Sequence, residues 1–223
     1  MLGALRQELI WTDHLLARER EPGWISVPLV VPKSETLPVL FDEAQAGRLI
    51  AEGALRLDRL GSAERQPAVV LTAIGAYQLG EVLRAAERLQ ERGVGAVVNC
   101  MIEPGRFRDP RGRREAAFQA VAALRERLYP EQLRHRVFAC HTRPEVMAGV
   151  LRPLDTGRRT MFLGYTNHGG TLDTAGMLFV NRLSWAHVVR ACARSLAIDL
   201  MQLLDKPEID ALEGRRDPRG LIV

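Results

Sequence analysis

Residues 164–177, "GYTNHGGTLDTAGM", place four glycines, three threonines, one histidine and one aspartate within fourteen positions. His168, with Asn167 and Asp173 close by, has the residue types of an acid–base cluster. Gly169, Gly170 and Thr171 can offer backbone N–H groups to a phosphate. The GxxxxGK[ST] spacing of a P-loop is absent, however. A histidine beside glycines also suits ordinary turn chemistry, with Gly169 and Gly170 supplying positive φ. The tight turn is the plainer reading.

A second candidate is Cys140-His141, a neighbouring pair at the end of an apolar run. Such a pair suggests a nucleophile or a metal site. Adjacent strand residues point to opposite faces, though, so the two cannot act together unaided. A buried cysteine and a partly exposed histidine are expected, and Cys100 has a similar strand position. The third cysteine is Cys192; an odd number without a CxxC pair reads as a reducing, cytoplasmic setting and offers no metal site. The arginines at 106, 108, 111, 113 and 114 suit either an anionic effector or a solvated face, and the solvated face is preferred.

Bulk composition limits these choices. The chain has 223 residues, 47% hydrophobic and 26% charged, enough for one globular domain or a domain with an arm. Aromatics are 5%, so Leu, Val and Ala must fill the core. The net charge is +4, yet the basic residues are scattered among acids and no nucleic-acid motif accompanies them, so nucleic acid is not expected as a partner. Arg6 and Glu8 interrupt the first residues, which excludes a signal-peptide core there. No apolar run reaches the length of a membrane span. Of 31 basic residues only Lys33 and Lys206 are lysines, so each stands out.

The elements that must position these residues follow from periodicity. Residues 2–20 have helical spacing and end at Pro22-Gly23, and "WISVPLVV" reads as a short strand. "FDEAQAGRLIAEG" is a short helix closed by Gly53, and "ALRLDRL" is a strand or an extended arm. Alternation then sets in. Strands are expected at 68–75, 94–101, 136–141, 159–165 and 177–183. Helices are expected at 76–93, 113–128, 143–151 and 184–204, the last opened by Ser184 as N-cap. Strand–helix–strand order at this spacing predicts a three-layer α/β/α fold with a mostly parallel sheet of about five strands. The divisions expected are an arm at 1–35, a linker at 36–66, the sheet domain at 67–204 and a loosely held polar tail at 205–223.

This order of motifs resembles the C-terminal domain of the transketolase-like, thiamine-diphosphate-dependent enzymes, and most of all the phosphoketolase C-terminal region. That family runs from an apolar strand through a lysine into "LDEA" and "GA". Here "PLVVPKSETLPVLFDEAQAGRLIAEGA" follows the same plan from Pro28 to Ala54. The family closes its sheet with Gly-Tyr, an acidic stretch, Gly, a Thr-rich turn and an apolar strand entering Asn-x-Leu; the counterpart is "GYTNHGGTLDTAGMLFVNRL". The likeness spans roughly residues 10–200.

The resemblance implies that residues 1–32 end a preceding pyrimidine-binding domain. It implies that Lys33, with Ser34 beside it, meets the phosphate of a sugar phosphate, a lysine acting there as a mobile point charge. The family has acidic residues where Thr166, Asn167 and His168 stand, which weakens any transfer of roles to His168. The diphosphate signature, Gly-Asp-Gly followed by a distant Asn, is missing from the chain. Thiamine diphosphate and magnesium are therefore expected only through partner domains or chains, with none bound by this chain alone. The implied partners are a larger chain carrying the diphosphate- and pyrimidine-binding domains, or a second copy. The implied substrate is a ketose phosphate or a 2-oxo acid. A non-enzymatic regulatory or scaffolding module of the same fold is the alternative.

Overall fold

The computed structural model describes residues 41–57, 66–166 and 172–222. The expected helix at 2–20 and strand at 24–31 lie outside them. In chain order the elements are α1 (Glu43–Glu52), β1 (Ala54–Arg56), β2 (Pro67–Ile74), α2 (Ala76–Glu91), β3 (Gly95–Met101), α3 (Arg113–Ala116), α4 (Ala122–Leu128), β4 (Arg136–Cys140), α5 (Pro144–Val150), β5 (Thr160–Leu163), α6 (Thr174–Val180), α7 (Trp185–Leu196), α8 (Lys206–Leu212) and α9 (Arg219–Ile222). Short 3₁₀ turns lie among them, including Pro104–Phe107 and Leu200–Gln202.

The five strands form one sheet in the order β1-β3-β2-β4-β5. The β2–β3, β2–β4 and β4–β5 pairs are parallel. Only β1 is antiparallel, pairing Ala54 with Met101 and Arg56 with Asn99. The sheet is thus the expected one, but its fifth strand comes from the stretch read as a linker. That stretch is well specified locally. Asp42 accepts from the Gln45 N–H at 2.7 Å while the Gln45 side chain accepts from the Asp42 N–H at 3.0 Å, a capping box that starts α1. Gly53, at φ 78°, ends α1 and turns the chain into β1.

Side-chain alternation along β2 divides the core in two. Val69, Leu71 and Ala73 face one layer, built from α2, α7 and α8 with Leu79, Val82, Leu89, Val188, Cys192 and Ile209. Val70 and Ile74 face the other, built from Phe107, Leu124, Leu128, Met147 and Leu151. Near the middle of that second face Thr72 Oγ1 meets the Tyr129 hydroxyl at 3.0 Å, and Arg136 donates to the carbonyls of Leu154 and Tyr129 at 2.9 and 3.2 Å. These bonds satisfy the carbonyls of loops that would otherwise be buried unpaired.

Four expectations fail for identifiable reasons. The apolar run expected as a strand at 177–183 is α6 and its exit. Asp173 accepts from the Gly176 N–H at 2.7 Å, which seeds a helix in a run too short for periodicity to decide. The single helix expected at 113–128 is two helices, because the Ala120 N–H goes to Arg106 O at 2.8 Å instead of continuing the helical ladder. The polar tail is docked rather than loose. Asp205 and Glu208 form a second capping box, Arg88 grips Glu208 at 3.1 and 2.7 Å, and Trp185 Nε1 donates to Leu221 O at 3.1 Å. Burying Leu221 adds about 2 kcal/mol of apolar transfer. The last long helix also ends earlier than expected, at Leu196, where Ala197 turns left-handed at φ 56° and Asp199 caps the next turn. No helix of the described residues is long and apolar enough to cross a membrane.

Candidate functional site at the carboxyl edge of the sheet

From β2 the chain crosses to β3 on one side, then returns past β2 to β4 on the other. Open α/β sheets bind ligands where such paths diverge, beyond the carboxyl ends of the strands. Here that place lies past Ile74 and Cys140, where His141 donates its backbone N–H to Ile74 O at 3.0 Å. Both long helices of the first layer start there. α2 begins at Gly75. α7 runs antiparallel to the parallel strands, since Ser195 near its end donates to Arg159 O at 2.6 Å, at the amino edge.

Gly75 sits at φ 124°, ψ 150°, a conformation that favours glycine. A Cβ at this position would lie 2.2 Å from Gln78 Oε1 and 3.1 Å from His141 Cβ. Glycine therefore lets the α2 entry, the Gln78 amide and the His141 side chain converge. His141 Nδ1 lies 3.1 Å from Ile74 O. A carbonyl only accepts, so Nδ1 is the donor in this contact. Gly164 closes the neighbouring β5 exit; a Cβ there would be 2.3 Å from Thr142 O and 2.5 Å from Pro144 N. Tyr165 N–H then donates to Thr142 O at 2.9 Å, and Thr166 Oγ1 to Asn181 Oδ1 at 3.4 Å.

Around the α7 entry lies a buried polar set. Ser184 occupies the expected N-cap position, but its hydroxyl pairs with His187 Nδ1 at 2.7 Å instead of capping the helix. The carboxylate of Glu81 takes over part of that role, accepting from the Trp185 N–H at 2.6 Å. Burial raises the Glu81 carboxyl above the usual range, against the pull of this hydrogen bond and of Arg84. Burial, with the charges of Arg190 and Arg182, holds His187 down at about 3. His187 stands edge-on to Phe179 at 5.1 Å and is 5% exposed. Ser184 is 3% exposed, so the Ser–His pair cannot meet a substrate from solvent and is structural.

The residues singled out from the sequence are thus distributed. Lys33, Ser34, Asn167, His168 and Gly169 to Thr171 lie outside the described residues. Asp173 is committed to capping α6. Cys140 is buried, with its thiol pushed up to about 12 by burial, while His141 is exposed and faces elsewhere. Cys100 is likewise pushed up to about 12. In the arginine cluster, Arg108 meets Glu115 at 2.6 Å, Arg111 meets it at 2.5 Å, and Arg106 lies 3.6 Å from Glu103. Hydrogen bonds from the Arg111 side chain and backbone, with the Arg108 charge, hold Glu115 down at about 2. Gln78 and Glu81 were missed. Gln78 had a legible signal, a polar residue on the apolar stripe of α2.

Among the described residues no group of three or more His, Cys, Asp or Glu side chains could hold a metal ion. What this edge offers is hydrogen bonding: a helix entry, an amide and an imidazole.

No curated protein matches the chain. A family model does, the one described as the XFP C-terminal domain, over residues 34–205.

Proposed function

Because the chain belongs to the XFP, or phosphoketolase, C-terminal domain family, we propose that it serves as the C-terminal section of a thiamine-diphosphate-dependent enzyme acting on ketose phosphates. The family match over residues 34–205, on a sheet of the expected order of size and direction, carries this reading. The domains that grip the cofactor and its magnesium are supplied by other sequence, in the same polypeptide or another. The part of this chain is to pack against those domains and to complete the substrate entrance. Lys33 supplies a cation for the substrate phosphate there, and Ser34 a hydroxyl donor. No chemical step is routed through the described residues.

The test is reconstitution. The chain is purified with a larger chain carrying the Gly-Asp-Gly motif and the pyrimidine-binding domain, and turnover of a ketose phosphate is measured. The expected result is a stoichiometric complex whose KM rises at least tenfold in Lys33→Ala while kcat changes little, as for lost ground-state binding. Failure to associate sinks the assembly role, and an unchanged KM sinks the lysine assignment.

A further inference from the structure

We propose that the outer edge of β5, with the arginines around its start, is a docking surface for an extended acidic segment of a partner polypeptide. The inference stands on the charge distribution of the fold and not on the enzyme reading above.

Along the sequence the basic residues look scattered, but the fold sorts them. On other elements many arginines have a carboxylate beside them: Arg88 meets Glu208, Arg92 meets Asp205, Arg127 meets Glu52 and Arg215 meets Asp210. Residues 133–198 differ. They hold nine arginines and, as acids, only Glu145, Asp155 and Asp173. Two of these acids serve the backbone, Asp155 accepting from the Gly157 N–H at 2.8 Å and Asp173 from the Gly176 N–H at 2.7 Å. Arg134, Arg158, Arg159, Arg190 and Arg194 make no ion pair among the described residues.

Hydrogen bonds gather these arginines at the amino edge of β4 and β5. Thr156 Oγ1 donates to Arg134 O at 2.6 Å. Ser195 Oγ, next to Arg194, donates to Arg159 O at 2.6 Å and meets His135 Nδ1 at 3.1 Å. Arg190 is one turn before Arg194 on α7, and every other position from Trp185 to Ser195 is buried. The two arginines are thus the solvent-facing stripe of that helix, where like charges one turn apart repel. The acid acting on Arg190 is Glu213, which is already paired with Arg215. Such a cluster gains from carboxylates brought from outside.

The strand beside the arginines says what form those carboxylates take. β5 is the last strand of the sheet and pairs with β4 alone among the described residues. Its outer row of N–H and C=O groups is a template for another extended chain. Met161, Phe162 and Leu163 are only half-buried along it, so an added chain would also cover apolar surface. A strand edge pairs with polypeptide backbone, which nucleic acid lacks. An acidic polypeptide therefore satisfies both the arginines and the edge.

The test uses the full chain, uniformly ¹⁵N-labelled, titrated at neutral pH with poly-L-glutamate, which is an extended polyacid there. A DNA duplex and inorganic tripolyphosphate are titrated in parallel. Saturable binding of poly-L-glutamate is expected, with shifts and slowed hydrogen exchange at the outward-facing amides of β5. The binding should weaken as salt rises from about 50 to about 300 mM. Arg158→Glu, Arg159→Glu and Arg194→Glu combined should weaken it about tenfold. The same three positions changed to Gln, which removes charge without reversing it, should weaken it by less. Reversing Arg48, Arg111 and Arg113 instead alters the net charge equally at exposed positions elsewhere, and should leave the affinity within about twofold. Equal weakening by the two charge-reversed variants would overturn the proposal, as would tighter saturation by the duplex or by tripolyphosphate. Outward-facing β5 amides already protected before any addition would also overturn it, because the chain would then cover this edge itself.

Discussion

His187 makes stability pH-dependent in a way that can be isolated. In the folded chain it is buried against Phe179, bonded to Ser184, and repelled by Arg190 and Arg182 when charged. Its folded value of about 3 lies below the ordinary 6.5 of the unfolded chain. A depressed folded value means that the unfolded state binds the extra proton. The contribution is therefore fully present above 6.5 and is lost as pH falls from there towards 3. At about 1.4 kcal/mol per unit, lowering the pH from 7 to 4 should remove about 3 kcal/mol of stability through this residue alone. The comparison is His187→Gln, which cannot titrate in this range. Glutamine three residues after the Ser184 N-cap also completes a capping-box pattern, so the variant should fold. Urea unfolding of both proteins at pH 4 to 8 gives the difference in stability at each pH. The lost ring packing is the same at every pH, and Glu81, which titrates with the opposite sign, is present in both. The difference should therefore close by about 3 kcal/mol towards pH 4. A difference constant within about 0.5 kcal/mol across this range would refute the reasoning.

Other outcomes are expected from the same geometry. Gly164→Ala should destabilise the fold by about 1–3 kcal/mol in urea unfolding, because the added methyl meets the backbone of Thr142 and Pro144, which cannot yield as a flexible side chain would. Glu208→Ala should cost about 1–2 kcal/mol by losing two charge-assisted bonds from Arg88, with the loss shrinking in high salt because the pair is partly exposed. An aromatic disulfide reagent should titrate no thiol in the native protein and all three in denaturant, since Cys100, Cys140 and Cys192 are buried and burial raises each of them.

Much of the architecture was legible because strands and helices here differ strongly in period. The runs around Val69–Ile74 and Ala96–Met101 are continuous and apolar, as strands covered on both faces must be, while 76–91 carries a clear apolar stripe. The failures arose where one hydrogen bond decided the outcome. The cap at Asp173 made a helix of residues that favour strands equally well. The Arg106 carbonyl, remote in sequence, broke a helix that local preference would have continued. The tail looked expendable by composition, because its anchoring depends on Arg88 and Trp185, far upstream. At the carboxyl edge the His141 ring is held by a carbonyl 67 positions away, which no local pattern reveals. Gln78, by contrast, broke the stripe of its own helix and was readable there.

The surroundings of Trp185 have a consequence for the order of folding. Its backbone is tied to Glu81, 104 positions earlier, and its indole to Leu221, 36 positions later. Arg88 lies over the ring while reaching Glu208, 120 positions on. On a ribosome the helix carrying Glu81 and Arg88 would thus wait, one flank uncovered, until Glu208, 120 positions beyond Arg88, had been made. Closure of that flank is a late event set by distant pairing, and such long-range contacts slow folding. A nascent chain paused before Leu221 would keep that apolar flank open to chaperones.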